Sequence, residues 1–231
     1  MVHIIAIEGL DGSGKTYLAS ELEKKLNITL NDEINVVNQH FPFDRNIVET
    51  VNKLMAGIPT FRDYLNLVEL FAVDRRNWYI DLCKKNINDN RDIIVLADRY
   101  IISNPLYNVP AIIESRCMDW QYKDKLNVAK FLTDIVLDFD AKNRKPEGTI
   151  LMNTSHGVRL GRIEKRSKRD AYELNSMISA QEMYMSDIVY ECKELNYLGK
   201  TKTVVTVPND NKIEELKDFI LSCIRTNGAD I

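Results

Sequence analysis

Three histidines and four cysteines in 231 residues leave little material for a zinc centre or a disulfide framework. The cysteines, Cys83, Cys117, Cys192 and Cys223, lie far apart with no C-x-x-C pair. They read as reduced thiols in the core of a cytoplasmic protein. No apolar run reaches the roughly 20 residues of a membrane-spanning helix. The apolar stretch at the start is short, has no basic leader and runs straight into a glycine-rich loop, so no signal peptide is expected. Neither sign of charge predominates. The formal net charge of −3 gives no global attraction to nucleic acid or to a membrane, and no partner of either kind is expected. Internal repeats and low-complexity tracts are absent. With 45% hydrophobic and 28% charged residues, the composition is that of one globular domain, 1–231, large enough for a full core.

What is present is concentrated near the start. Gly9-Leu10-Asp11-Gly12-Ser13-Gly14-Lys15-Thr16-Tyr17 follows the apolar run His3-Ile4-Ile5-Ala6-Ile7. The spacing Gly-x-x-x-x-Gly-Lys-Thr is that of a phosphate-binding P-loop. Glycines let the backbone turn tightly enough to aim several N–H groups into one hollow, and the helix that follows adds its positive end. Lys15 is then placed to reach the outer phosphates of a nucleotide, and Thr16 to ligate Mg²⁺. A β-branched strand before the loop, and Leu18, Leu22 and Leu26 at helical spacing after it, supply the context this motif needs.

Further along, strands are expected at about 34–38, 93–97, 149–152 and 203–207, with helices between them. Helices are expected at about 14–27, to about Met55, at about 60–88, at about 170–195 and from about Lys212. A helical pattern, Val128, Phe131, Leu132, Ile135, Val136 and Phe139, marks the stretch at about 108–145. Strands alternating with helices predict an α/β fold with a parallel sheet. The run Ile93 to Ala97 suits a central strand. It ends in Asp98-Arg99-Tyr100, and ligands bind at the carboxyl ends of such strands.

Several ordered segments resemble the thymidylate kinase family over nearly the whole chain. They are Glu8 to Thr16; Phe41-Pro42-Phe43-Asp44-Arg45; Leu70-Phe71-Ala72-Val73-Asp74-Arg75; Asp98-Arg99-Tyr100-Ile101-Ile102-Ser103-Asn104-Pro105-Leu106-Tyr107; and a basic stretch, Arg162, Lys165, Arg166, Lys168 and Arg169, before Asp170-Ala171-Tyr172-Glu173. The resemblance implies a P-loop kinase three-layer sandwich: a five-stranded parallel sheet flanked by helices, with a basic lid at about 154–170. It implies phosphorylation of dTMP to dTDP by ATP with Mg²⁺, in a cytoplasmic homodimer (host cytoplasm if the source is viral). Gly9, Asp11, Gly12, Ser13, Gly14, Lys15, Thr16 and Tyr17 would bind ATP, and Thr16 with Asp98 the metal. Asp11 would reach the acceptor's 3′-hydroxyl, and Arg45 and Arg99 its 5′-phosphate. Phe71 would stack on the pyrimidine, Arg75 and Asn104 meet its polar edge, and Tyr107 crowd the sugar's 2′-position. Ser103 and Tyr172 join the acceptor site. Lys15, Asp11, Asp98 and Arg99, with the lid residues Arg162 and Arg166, form the catalytic set, which suits a reaction that needs positioning and charge neutralisation.

The chain departs from the family pattern at Ala171, where Arg is common, at the bulkier Pro105-Leu106 beside the expected acceptor pocket, and in the long stretch after Tyr107. A broader deoxynucleoside monophosphate kinase, accepting dUMP or dGMP, and a nucleotide-binding regulator without turnover are the alternatives. A deoxynucleoside kinase usually has Glu-Arg-Ser where this chain has Asp98-Arg99-Tyr100. A GTPase needs an Asn-Lys-x-Asp motif that this sequence lacks.

Overall fold

The computed structural model describes residues 1–31, 33–57, 59–87, 89, 91–117, 119–166, 175–205 and 209–225. Five strands, β1 (Val2–Gly9), β2 (Asn35–His40), β3 (Ile93–Asp98), β4 (Gly148–Met152) and β5 (Lys200–Val204), form one sheet in the order β2-β3-β1-β4-β5. Every pairing is parallel. Eight helices are described: α1 (Lys15–Leu30), α2 (Arg45–Met55), α3 (Phe61–Lys85), α4 (Ser103–Arg116), α5 (Tyr122–Phe139), α6 (His156–Glu164), α7 (Asn175–Glu194) and α8 (Asp210–Arg225).

Side chains alternate across a strand, so β1 feeds two cores. Ile5 and Ile7 pack with Leu18, Leu22 and Leu26 of α1 and Leu216 and Ile220 of α8. Ile4 and Ala6 face the other layer, with Leu67 and Val68 of α3, Leu106 and Val109 of α4, Val136 of α5 and Ile188 of α7. That is the expected three-layer sandwich. A helix covered on several sides carries apolar residues all round, and α4 is buried continuously from Ser103 to Ile113. Pro105 and Leu106 are therefore part of the packed interior. They line neither of the two cavities described below, although the sequence places them beside an expected acceptor pocket.

The last strand is corrected. The apolar run Val204-Val205-Thr206-Val207 predicts a strand at about 203–207, yet β5 spans Lys200–Val204, and residues 206–208 lie outside those described. β5 is an edge strand paired only with β4. It reads Lys-Thr-Lys-Thr-Val with only Val204 buried, and an edge in contact with water tolerates such polar residues. The stretch at 108–145 also resolves. It holds the end of α4 and all of α5, which packs against α4 and α7.

Local chemistry fixes the helix starts near the site. Asp44 caps α2 by accepting from the Asn46 N–H. Thr60 and Asp63 form a reciprocal capping box at α3. Buried Asp74 accepts from the Phe43 and Asp44 N–H groups at 2.7 and 2.9 Å, tying the loop after β2 to α3. The Phe41–Pro42 peptide in that loop is cis, and Phe41 packs edge-on against Trp78 at 5.0 Å.

Candidate active site

The carboxyl ends of β1, β2 and β3 meet the start of α1, where open parallel sheets hold ligands. The loop after β1 turns through Gly9, Gly12 and Gly14, all with positive φ. Glycine is required at the first two. A Cβ would lie 2.5 Å from the Met152 carbonyl oxygen at Gly9, and 2.6 Å from that of Arg159 at Gly12. Gly14 caps α1 without a side-chain bond, so the first N–H groups of the helix remain available to an anion. Lys15 folds back over this hollow. Its Nζ donates to the Gly9 and Leu10 carbonyls at 2.8 and 3.0 Å. Burial, reinforced by the nearby Arg99 cation, pulls the Lys15 ammonium down to about 8 against the attraction of Asp11, Asp98 and Glu8. An anion brought into the hollow would favour the charged form of Lys15.

Asp98 ends β3 directly beside His40 at the end of β2. Its Oδ2 accepts from the Thr16 hydroxyl at 2.5 Å and contacts His40 Nδ1 at 3.0 Å. Its Oδ1 is buried with no hydrogen-bond partner. Burial raises this carboxyl, but the His40 hydrogen bond, the Lys15 charge and the Thr16 hydroxyl outweigh it and hold it below the usual range. An orphaned anionic oxygen beside a hydroxyl is a hard-oxygen donor set that fits Mg²⁺, which keeps most of its waters and takes only one or two protein ligands. No cluster of three or more His, Cys, Asp or Glu that could hold a metal ion occurs among the described residues.

Arg99 follows in the left-handed region, φ +70. The cause is Glu8. This fully buried carboxylate accepts from the Tyr100 N–H at 2.9 Å, the Ile102 N–H at 3.1 Å and the Ser103 hydroxyl at 2.6 Å, wrapping the turn around itself. Arg99 thereby reaches Asp11 in a close ion pair and lies 4.8 Å over the Tyr107 ring. Burial would raise the Asp11 carboxyl, but the Arg99 and Lys15 cations bring it down to about 2. Asp11 Oδ2 is buried and unpartnered.

Two cavities meet here. One, of about 150 Å³, is lined by Asp11, Gly12, Gly14, Lys15, Thr16, Tyr17, His40, Asp98, Arg99, Arg162 and Arg166. The second, of about 220 Å³, is lined by Asp11, His40, Arg99, Tyr107 and, further in, Phe41, Phe71, Arg75, Ser103, Asn104 and Asn108. Asp11, His40 and Arg99 line both. The far end of the second cavity rests on a buried polar network. Asp140 caps α5 and is 0% exposed. It accepts from Arg75 Nε at 3.0 Å and from Nη2 at 2.7 and 2.6 Å. Asn143 donates to it at 2.5 Å and Asn104 at 3.1 Å.

Most of the expected residues thus converge. Gly9 and Ser13 lie behind the P-loop hollow: the Gly9 carbonyl takes Lys15, and the Ser13 carbonyl takes the Thr154 hydroxyl at 2.9 Å. Ser103 borders the second cavity, but its hydroxyl is committed to Glu8. Arg45 is the exception. As the first residue of α2 it is exposed and lines neither cavity, because Asp44 and Asp74 fix the loop with that position turned outward. Tyr172, with Lys168, Arg169, Asp170, Ala171 and Glu173, lies outside the described residues. Sequence reasoning missed His40, Asp140, Asn143, Arg159 and Glu182. His40 ends a strand one residue before Phe41-Pro42, so the strand-end rule could have found it. Asp140 pairs with a residue 65 positions away, which no local signal reveals.

A P-loop whose hollow opens on a second cavity bordered by arginines defines a P-loop kinase with a phosphate-bearing acceptor. The sequence matches the thymidylate kinase family over residues 7–220, and the chain belongs to that family, whose members carry a phosphoryl group from ATP to dTMP. Among its relatives, a probable thymidylate kinase of Saccharolobus solfataricus is 29% identical over 80% of this chain and 82% of its own length. A deoxyguanosine kinase of Bacillus subtilis is 27% identical over 92% of this chain and 89% of its own. A solved thymidylate kinase from Candida albicans shares the fold with a TM-score of 0.61 and 20% identity, covering 97% of this chain and 92% of that one.

Proposed function

We propose that the smaller cavity holds the ATP phosphates, that the larger holds dTMP, and that the phosphoryl group passes where they join. The observation that carries this reading is the shared border: Asp11, His40 and Arg99 line both cavities. Lys15 and the loop amides grip the donor phosphates. Thr16 and Asp98 would hold Mg²⁺, which would supply neutralisation of the charge that develops on the phosphates. Arg99 binds the acceptor phosphate with its planar fork, and Asp11 Oδ2 receives the sugar 3′-hydroxyl. Phe71 offers the pyrimidine a face, while Arg75 and Asn104 meet its polar edge. Arg162 and Arg166 border the donor hollow and stabilise charge on the moving group. Arg45 serves the acceptor only if its side chain turns inward when ligand is bound.

The four free cysteines support a reducing, cytoplasmic setting. Among the described residues no helix is long and apolar enough to cross a membrane. Exposed Phe61, Leu70 and Ile80 on α3 support a homodimer.

The test is ADP formation from ATP and Mg²⁺ with dTMP, dUMP, dGMP, dCMP, ribo-TMP, thymidine and deoxyguanosine as acceptors. A clear preference for dTMP is expected, and Lys15→Ala abolishes it while leaving the fold intact. Equal rates on several monophosphates would mean a broader kinase. ATP binding without turnover on any acceptor would mean a regulator.

A further inference from the structure

Three consecutive carbonyls of the P-loop are held from one side. Arg159 Nε donates to the Asp11 carbonyl at 2.8 Å, Arg162 Nη1 to that of Gly12 at 2.9 Å, and the Thr154 hydroxyl to that of Ser13 at 2.9 Å. All three donors belong to α6 or to its connection from β4. Phe41–Pro42 is the cis peptide; the loop peptides are trans, so each N–H points opposite the carbonyl before it. Holding those carbonyls toward α6 aims the Gly12, Ser13 and Gly14 N–H groups the other way. The Ser13 N–H closes a turn onto Leu10 at 3.2 Å. Gly12 and Gly14 line the hollow.

Arg159 differs from its two neighbours. Its side chain is 2% exposed, so it is not a solvated surface arginine. Its fork is divided: Nε serves the loop, and Nη1 forms an ion pair with Glu182 of α7. The second Glu182 oxygen pairs with His156. A group that only braced α6 against α7 would need Glu182 alone. The loop also touches the α6 backbone here, since a Cβ on Gly12 would lie 3.1 Å from the Arg159 Cα.

We infer that Arg159 is a positioning residue of the donor site, a strut from α7 through α6 that sets the Asp11–Gly12 peptide and so the shape of the phosphate cradle. This rests on the reading of that hollow as the ATP phosphate site. The root of the lid is then a fixed part of the donor site. Asp11's carboxylate is held separately by Arg99, so the acceptor side is spared when Arg159 is changed.

The test measures binding of ATP and of inorganic pyrophosphate by calorimetry, together with separate KM values for ATP and dTMP, in Arg159→Met and Arg159→Lys, with thermal unfolding of each. Loss of a charge-assisted bond to the loop weakens ATP and pyrophosphate binding about tenfold, with the KM for dTMP within about twofold of the unmodified protein. Arg159→Lys keeps the charge beside Glu182 but lacks the fork. It regains thermal stability without regaining ATP affinity, and it carries the test if the Met variant does not fold. Unchanged ATP affinity in both variants, or equal losses for ATP and dTMP, overturns the proposal. If the unmodified protein binds neither ATP nor pyrophosphate, the donor-site reading falls and this inference with it. If it binds both but transfers nothing, the kinase reading falls and the strut stands on the binding data.

Discussion

Replacing Asp140 by Asn removes one charge and changes almost no volume, yet it strikes the most heavily bonded carboxylate among the described residues. Asp140 is 0% and Arg75 3% exposed. Arg75 supplies two donor nitrogens to it, and Asn104 and Asn143 one each. In Asp140→Asn an amide NH₂ replaces one of the accepting oxygens and faces donors, while the guanidinium stays buried without its counter-charge. Breaking a buried pair from one side costs about 3–5 kcal/mol. For a chain of this length that is roughly 6–20 °C in unfolding midpoint, a large part of the ~5–15 kcal/mol that a domain has in total. Replacing both partners by apolar residues of similar size is often close to neutral. The double variant Arg75→Met/Asp140→Leu is therefore expected to unfold at a higher temperature than Asp140→Asn alone.

The same substitution separates floor from wall. Arg75 and Asn104 line the larger cavity, proposed above for dTMP, and Asp140 stands behind them, away from the P-loop hollow. Assayed well below its unfolding midpoint, Asp140→Asn raises the KM for dTMP and leaves that for ATP unchanged. Thermal unfolding followed by circular dichroism reads the first effect and steady-state kinetics the second. A midpoint within about 2 °C of the unmodified protein, or a double variant less stable than Asp140→Asn, would refute the reasoning from a desolvated pair.

Three other expectations follow from the site. Tyr107→Ala removes the ring that Arg99 covers and raises the rate on ribo-TMP relative to dTMP; an unchanged ratio means that the ring does not guard the 2′-position. Burial pulls the Lys15 ammonium of the ligand-free protein down to about 8, so at pH 8.5 a substantial share of it is neutral. The phosphates of ATP favour the charged form, and binding at that pH takes up a large fraction of a proton. Calorimetry in buffers of differing ionisation enthalpy measures the uptake, and its persistence in Lys15→Met would exclude Lys15 as the source. Between pH 8 and the ordinary lysine value of 10.5 the unfolded chain holds the extra proton, so the ligand-free fold gains stability as pH rises across that window.

The legible part of this protein was the part written locally. A P-loop needs glycines at fixed offsets because backbone approaches backbone there, and the Gly9 and Gly12 contacts with Met152 and Arg159 are those approaches. The buried run of β3 is continuous because both faces are covered. β5 was misjudged for the converse reason: an edge strand has less to bury, and its polar half carries no hydrophobic pattern. Ser103 was legible as a site residue but not in its role, since only the fold brings Glu8 beneath the turn after β3.

Asp140 and Arg159 were unreadable for one reason: each completes a bond whose other half is far away in sequence. Asp140 answers Arg75, and Arg159 answers both Asp11 and Glu182. In the sequence Arg159 is one more basic residue near the start of the expected lid. Its burial sets it apart, because a guanidinium taken out of water depends on ion pairs and hydrogen bonds such as those it makes to Glu182 and to the Asp11 carbonyl. The two arginines then differ in what they can do on binding. Arg162 is half-buried at the hollow and gives one bond to the loop, so it can exchange that carbonyl for a phosphate oxygen as charge arrives. Arg159 cannot leave without giving up both its Glu182 ion pair and its bond to the Asp11 carbonyl. Movement on ATP binding is therefore expected of the Arg162 side chain, with the turn that contains Arg159 staying still.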